Sequence, residues 1–154
     1  MSEGLMNFKK CDEFVAEFEK VIEKPVKSAS KVYYAGIDLG TACVVMAVLD
    51  ENYRPVAGAY RYADVVRDGM VVDYIGAIRT VKSMKEKIEE ELGTELLYAA
   101  AALPPGTDAL DGGAVSNVCR AAGFEITSLM EEPAAANRLL KIGSGAIEIG
   151  RAHV

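Results

Sequence analysis

The chain has 154 residues, 51% of them hydrophobic and 26% charged, which is room for one domain burying roughly 70% of its unfolded surface, too little for a two-lobed enzyme and too apolar for disorder. Seventeen Lys plus Arg against 23 Asp plus Glu leave a net charge of −6, a field that repels nucleic acid and anionic lipid where no basic patch opposes it. The one histidine, His153, removes Ser-His-Asp triads, Cys-His pairs and His-ligated zinc from the body of the chain, so any chemistry must use carboxylates, hydroxyls and backbone.

Leu5, Phe8, Cys11, Val15, Phe18 and Ile22 recur at helical spacing, widened by Phe14 and Val21, and predict an amphipathic helix. Pro25 and the polar stretch 27–30 end it as a short linker, so residues 1–30 are read as helix plus linker and the compact domain as starting near Lys31. The helix is expected to pack on its own domain; docking in a groove of a partner or shell protein is the alternative. From Val32 to Leu49 the text is apolar and β-branched around Gly36, Asp38, Gly40 and Thr41, predicting two strand pieces about a tight turn. After a second turn at Asp50–Pro55, Val56–Ala63 and Val65–Val72 supply further strand-like runs, the latter interrupted by the Asp68-Gly69 turn signal. Asp73 is a good N-cap for a helix carrying Ile75, Ile78, Val81, Met84, Ile88 and Leu92, with Gly93 as its stop. Its charged face, from Lys82 to Glu91, reads as solvated surface with paired charges.

Glu95–Leu103 is the next strand, and its Ala99–Ala102 run predicts burial on both sides. A helix from Asp108 or Gly113 to Ala122 follows, then a strand over Phe124–Met130, then a helix opened by Glu131 or Glu132 with Pro133 in its first turn. The order β-β-β-α-β-α-β-α is the α/β layout of a ribonuclease H-like lobe, a mixed five-stranded sheet with helices on both faces. Cys11, Cys43 and Cys119 are odd in number and form no CxxC, so they read as idle thiols in a reducing cytosol. The charged first residues do not form a secretory signal and no run of ~18 apolar residues occurs, so a soluble cytoplasmic protein without membrane or nucleic-acid partners is expected.

Gly36-Ile37-Asp38-Leu39-Gly40-Thr41 joins a carboxylate, a glycine and a hydroxyl at a strand-to-strand turn. Such a turn can present backbone N–H groups and a hydroxyl to phosphate while the carboxylate holds the water shell of Mg²⁺. It is neither a P-loop nor a dinucleotide fingerprint. On spacing alone an ordinary hairpin turn stands beside the phosphate reading.

GIDLGT before an apolar strand resembles the first phosphate motif of the actin and DnaK-type heat-shock ATPase superfamily. The run Ala63–Tyr74 is similar to the third strand and helix entry of bacterial actin-like proteins, and closer to the ethanolamine-utilisation branch of the superfamily. Leu103-Pro104-Pro105-Gly106-Thr107-Asp108 resembles a strand end and loop of that branch, and Glu131-Glu132-Pro133-Ala134-Ala135-Ala136 the connecting helix of DnaK-type chaperones. The likeness spans about residues 32–147. It implies that 31–147 is the N-terminal lobe of an actin-like/DnaK-like ATPase, an ATP-binding, chaperone-like protein of ethanolamine utilisation. Residue by residue it implies nucleotide binding at Gly36, Asp38, Leu39, Gly40 and Thr41, Mg²⁺ held through Asp38, and Asp38 and Glu132 as the catalytic pair, with Glu132 positioning or deprotonating the attacking water. Partners on this reading are ATP and ethanolamine-degrading enzymes or proteins of a bacterial microcompartment. A non-catalytic actin-like scaffold, of cell-shape or pilus-assembly type, and an inert fragment stand as alternatives.

For Glu131 and Glu132 the residues alone allow a simpler role, since acidic groups favour a helix N-terminus. Two departures from the superfamily pattern stand out: Ala134 follows the proline, and no Asp-x-Gly-Gly-Gly-Thr turn follows Ile147. Ile149–Val154 matches one reading frame of a widely used sequencing-library adapter, so residues 148–154 are expected to be a non-native tail at a truncation point.

Overall fold

The computed structural model describes residues 3–106 and 109–141. Its frame is a five-stranded sheet of β1 (Tyr34–Leu39), β2 (Cys43–Leu49), β3 (Pro55–Tyr62), β6 (Tyr98–Leu103) and β7 (Glu125–Glu131), in the order β3-β2-β1-β6-β7. The pairs β1–β2 and β2–β3 are antiparallel, whereas β1–β6 and β6–β7 are parallel. The expected mixed sheet is therefore present, with helices on both faces. A separate hairpin, β4 (Val66–Arg67) and β5 (Met70–Val71), turns through Asp68 and Gly69, both at positive φ. Those two angles suit the tight turn that an Asp-Gly pair favours.

Strand alternation divides the sheet residues between two faces. Ala35, Ile37 and Leu39 of β1 and Val44, Met46 and Val48 of β2 lie on one face and are buried with Ala77, Val81, Met84 and Ile88 of α2 (Tyr74–Leu92). The predicted caps hold: the Asp73 carboxylate accepts the Gly76 N–H at 2.8 Å, and Gly93 closes the helix in the left-handed region. Beside α2, α3 (Ala109–Ala121) brings Val118 and Cys119 into the same core. Burial pushes the Cys119 thiol up to about 12, so it stays protonated and unreactive.

On the opposite face α1 (Glu3–Glu23) lies along β3 and meets α4 (Glu132–Leu140), where the Cys11 thiol donates to the Leu139 carbonyl at 3.6 Å. A Cβ on Gly58 would stand 2.3 Å from Phe18 Cε2, so the bare glycine lets the helix approach the strand. The predicted apolar stripe is rotated: Cys11 and Val21 are buried and Phe14, Phe18 and Ile22 half-buried, but Phe8 and Val15 are 53% and 52% exposed. The sheet beneath offers only Gly58, Ala47 and their neighbours, a narrow strip that accepts one edge of the helix.

The Ala99–Ala102 run also departs from expectation. Ala99 and Ala101 are buried against the α2–α3 side, whereas Ala100 is exposed and Ala102 half-exposed. One register row on the α1 side reads Gly58, Ala47, Gly36, Ala100, Ser128 and leaves the centre of this face low and open. At the sheet's end β7 carries one extra residue: Ala99 pairs with Ile126 and Ala100 with Ser128, so Thr127 bulges and its hydroxyl donates to the Ala99 carbonyl at 3.2 Å. Residues 142–154, which include the expected tail, lie outside the described residues.

Candidate functional site

The turn between β1 and β2 is built by one bond. The Gly40 N–H donates to the Cys43 carbonyl at 3.0 Å, closing the bend in the fewest residues. A side chain at Gly40 would place its Cβ 2.9 Å from that carbonyl oxygen, closer than real contacts allow. Gly40→Ala is therefore expected to destabilise the chain by about 1–3 kcal/mol through overpacking against backbone, read as a lowered urea midpoint with an unchanged slope. The same bond commits the Gly40 amide. The N–H groups of Thr41 and Ala42 at the tip have no acceptor among the described residues, so these two amides, with the Thr41 hydroxyl, are the donors the turn can offer an anion.

Asp38, in β1 two positions before Gly40, lies on the face opposite the α2 core, with its Oδ1 shut off from solvent. Its register row runs Tyr60, Val45, Asp38, Ala102, Met130. Because β1, β6 and β7 are parallel, their carboxyl ends share one edge of the sheet, and Glu132 follows β7 at that edge. Asp38 and Glu132 therefore come to the same mouth, with β6 between their strands and a strand-to-strand offset of about 10 Å from β1 to β7. The sheet's ordinary ligand position is the crevice beyond such carboxyl ends.

Three segments rim this mouth in order: the Gly40–Ala42 turn, the Pro104–Gly106 loop after β6, and Glu132 at the start of α4. The tip of the β4–β5 hairpin closes on the middle one, where a Cβ at Gly69 would meet Pro104 at 3.6 Å. Two of the residues named from sequence stand apart from it. Leu39 is buried on the opposite face with the α2 core, so only its backbone belongs to the turn. Gly36 sits mid-strand between Ala47 and Ala100, about four residues or 13 Å below the turn.

Sequence reasoning missed one connection. The carboxylate of Glu131 does not cap α4, although Glu131 is its N-cap residue; its Oε1 accepts the Gly106 N–H at 3.0 Å. The side chain thus makes no cap bond to α4, while its charge still sits at the helix N-terminus, where acidic groups are favoured. Nothing in the local pattern announces a partner 25 positions away, though the left-handed Gly106 (φ 75°) marks a loop whose amide points sideways.

No family model matches the chain. The ethanolamine utilization protein EutJ of Salmonella typhimurium is 41% identical over 118 residues, 76% of this chain and 41% of that protein. Its Escherichia coli counterpart is 40% identical over the same length. The crystal structure of EutJ from Carboxydothermus hydrogenoformans superposes with a TM-score of 0.80 at 42% identity, covering 94% of this chain and 52% of that one. A type IV pilus biogenesis complex of PilM and PilN matches at a TM-score of 0.52 and 12% identity, over 72% of this chain and 50% of that one, a likeness of fold alone. The chain thus spans about half the length of the EutJ proteins it matches.

Proposed function

We propose, for a chain homologous to EutJ and built as an actin-like ATPase lobe, that the carboxyl-edge mouth binds the phosphates of ATP together with Mg²⁺. On this reading the protein serves ethanolamine utilisation as an ATP-dependent, chaperone-like component acting on ethanolamine-degrading enzymes or microcompartment proteins. The observation that carries it is that Asp38, the Gly40–Ala42 turn and Glu132 stand at one edge of the sheet, beyond the carboxyl ends of its parallel strands.

The donor set suits the group. Among the described residues no three His, Cys, Asp or Glu gather into a cage, and Mg²⁺ needs none: it keeps several waters and takes one or two carboxylates plus phosphate oxygens. Asp38 would hold that water shell. When bound, the cation neutralises charge on the β- and γ-phosphates. The Thr41 and Ala42 amides and the Thr41 hydroxyl would fix the terminal oxygens, and the Glu132 carboxylate would orient the attacking water or take its proton. No helix among the described residues is long and apolar enough to cross a membrane.

Residue-resolved ¹H–¹⁵N spectra of the chain titrated with Mg·ATP test the reading. Saturable shifts are expected at Thr41, Ala42, Gly106 and Glu132, and they should require Mg²⁺. Absence of shifts at millimolar nucleotide, or shifts confined to the Tyr34–Tyr53 end of the sheet, would overturn it.

A further inference from the structure

We infer that Glu131 is a positioning residue for the mouth: its bond to Gly106 holds the β6–α3 loop in place between the phosphate turn and Glu132. The inference rests on the nucleotide reading above and deepens it.

Three observations carry it. First, glutamate is a poor N-cap, and here the side chain makes no cap bond to α4 and reaches the loop of the neighbouring strand instead. Second, β6 lies between β1 and β7, so the loop it feeds is the partition between the Gly40–Ala42 turn and Glu132; a shift of this loop changes the distance either can reach. Third, the Pro104–Gly106 segment is restrained at both of its ends. It contains Pro104 and Pro105, the hairpin tip at Gly69 abuts Pro104, and Glu131 fastens the other end at Gly106. Gly106 adopts a positive φ of 75°, a conformation in which other residues are strained. Glu131 and Glu132 are adjacent, so the residue that fastens the loop and the residue assigned to the water move together as one rigid strand end. That adjacency ties the position of Gly106 to that of Glu132.

The test uses the whole chain and two variants. In the wild type the Gly106 amide should exchange with solvent more slowly than its sequence dictates. In Glu131→Ala that protection should vanish while the amides of α2 and β1 keep theirs and the urea midpoint stays put, because both partners are exposed. Glu131→Gln retains a carbonyl acceptor and should restore protection. In the same samples the dissociation constant for Mg·ATP should rise about tenfold in Glu131→Ala and return to within about twofold in Glu131→Gln, tenfold being about 1.4 kcal/mol. An unprotected Gly106 in the wild type, or protection unaltered by Glu131→Ala, overturns the fastening itself. Lost protection with unaltered Mg·ATP affinity overturns the positioning role and leaves the nucleotide reading intact. A wild type that binds no Mg·ATP removes the nucleotide reading, and the positioning role with it.

Discussion

Glu89→Ala is expected to lower stability by about 3–5 kcal/mol, the range for removing one partner of a buried ion pair. Lys85, on the core side of α2, has a side chain only 9% exposed, and its ammonium meets Glu89 Oε1 at 2.5 Å; the Glu89 side chain is 20% exposed. The same oxygen accepts the Leu96 N–H at 2.7 Å, and the Glu89 carbonyl accepts the N–H groups of Gly93 and Thr94. Cutting back the side chain strands a cation beside the Phe124 ring, 5.3 Å from its centroid, and leaves the Leu96 amide without its acceptor. Thermal melts should show the loss as a drop of roughly 6–20 °C, at about 2–4 °C per kcal/mol for a chain of this size. The double variant Lys85→Met with Glu89→Gln should recover most of it, since the glutamine oxygen can still take the Leu96 N–H and no charge is left buried. If Glu89→Ala melts within about 2 °C of the wild type, a change worth under ~1 kcal/mol, the pair is not a keystone of the α2–β6 junction.

Asp38→Asn is the second large expectation. The substitution keeps shape and one acceptor oxygen but removes the charge that would hold the cation's water shell. The Mg²⁺-dependent part of ATP affinity should fall about 100-fold, or about 2.7 kcal/mol, while affinity measured in EDTA stays level or improves because a negative charge no longer faces the phosphates. Calorimetry with and without Mg²⁺ separates the two. An equal loss under both conditions would assign Asp38 to the architecture of the turn and not to the cation.

How much of this was legible in the letters depended on whether a local signal existed. The α2 boundaries were, because Asp73 and Gly93 act within one helical turn of themselves. So was the Asp68-Gly69 hairpin, whose two positive φ values few other pairs tolerate. Burial of the Ala99–Ala102 run was misjudged because alanine is equally at home beneath a helix and beneath nothing; the missing cover over Ala100 is decided by where α1 and α4 lie. The strand starts at Tyr98 and not Glu95 because the preceding residues are fastened sideways, Leu96 to the Glu89 carboxylate. At the mouth, the turn and Glu132 could be named from motifs. Leu39 and Gly36 could not be sorted from Asp38 until strand alternation and distance along β1 were known, and the Glu131–Gly106 bond joins strands that only the fold makes neighbours.

The extra residue at Thr127 has a bearing on how copies of this chain behave when crowded. The strand it interrupts is the last of the sheet among the described residues, and an uninterrupted rim of unpaired amides and carbonyls would invite another molecule to zip on and start a fibre. By bulging in the first half of that rim, Thr127 breaks the regular spacing such a zipper needs, and the exposed Glu125 and Glu131 at the strand's two ends set charge against it as well.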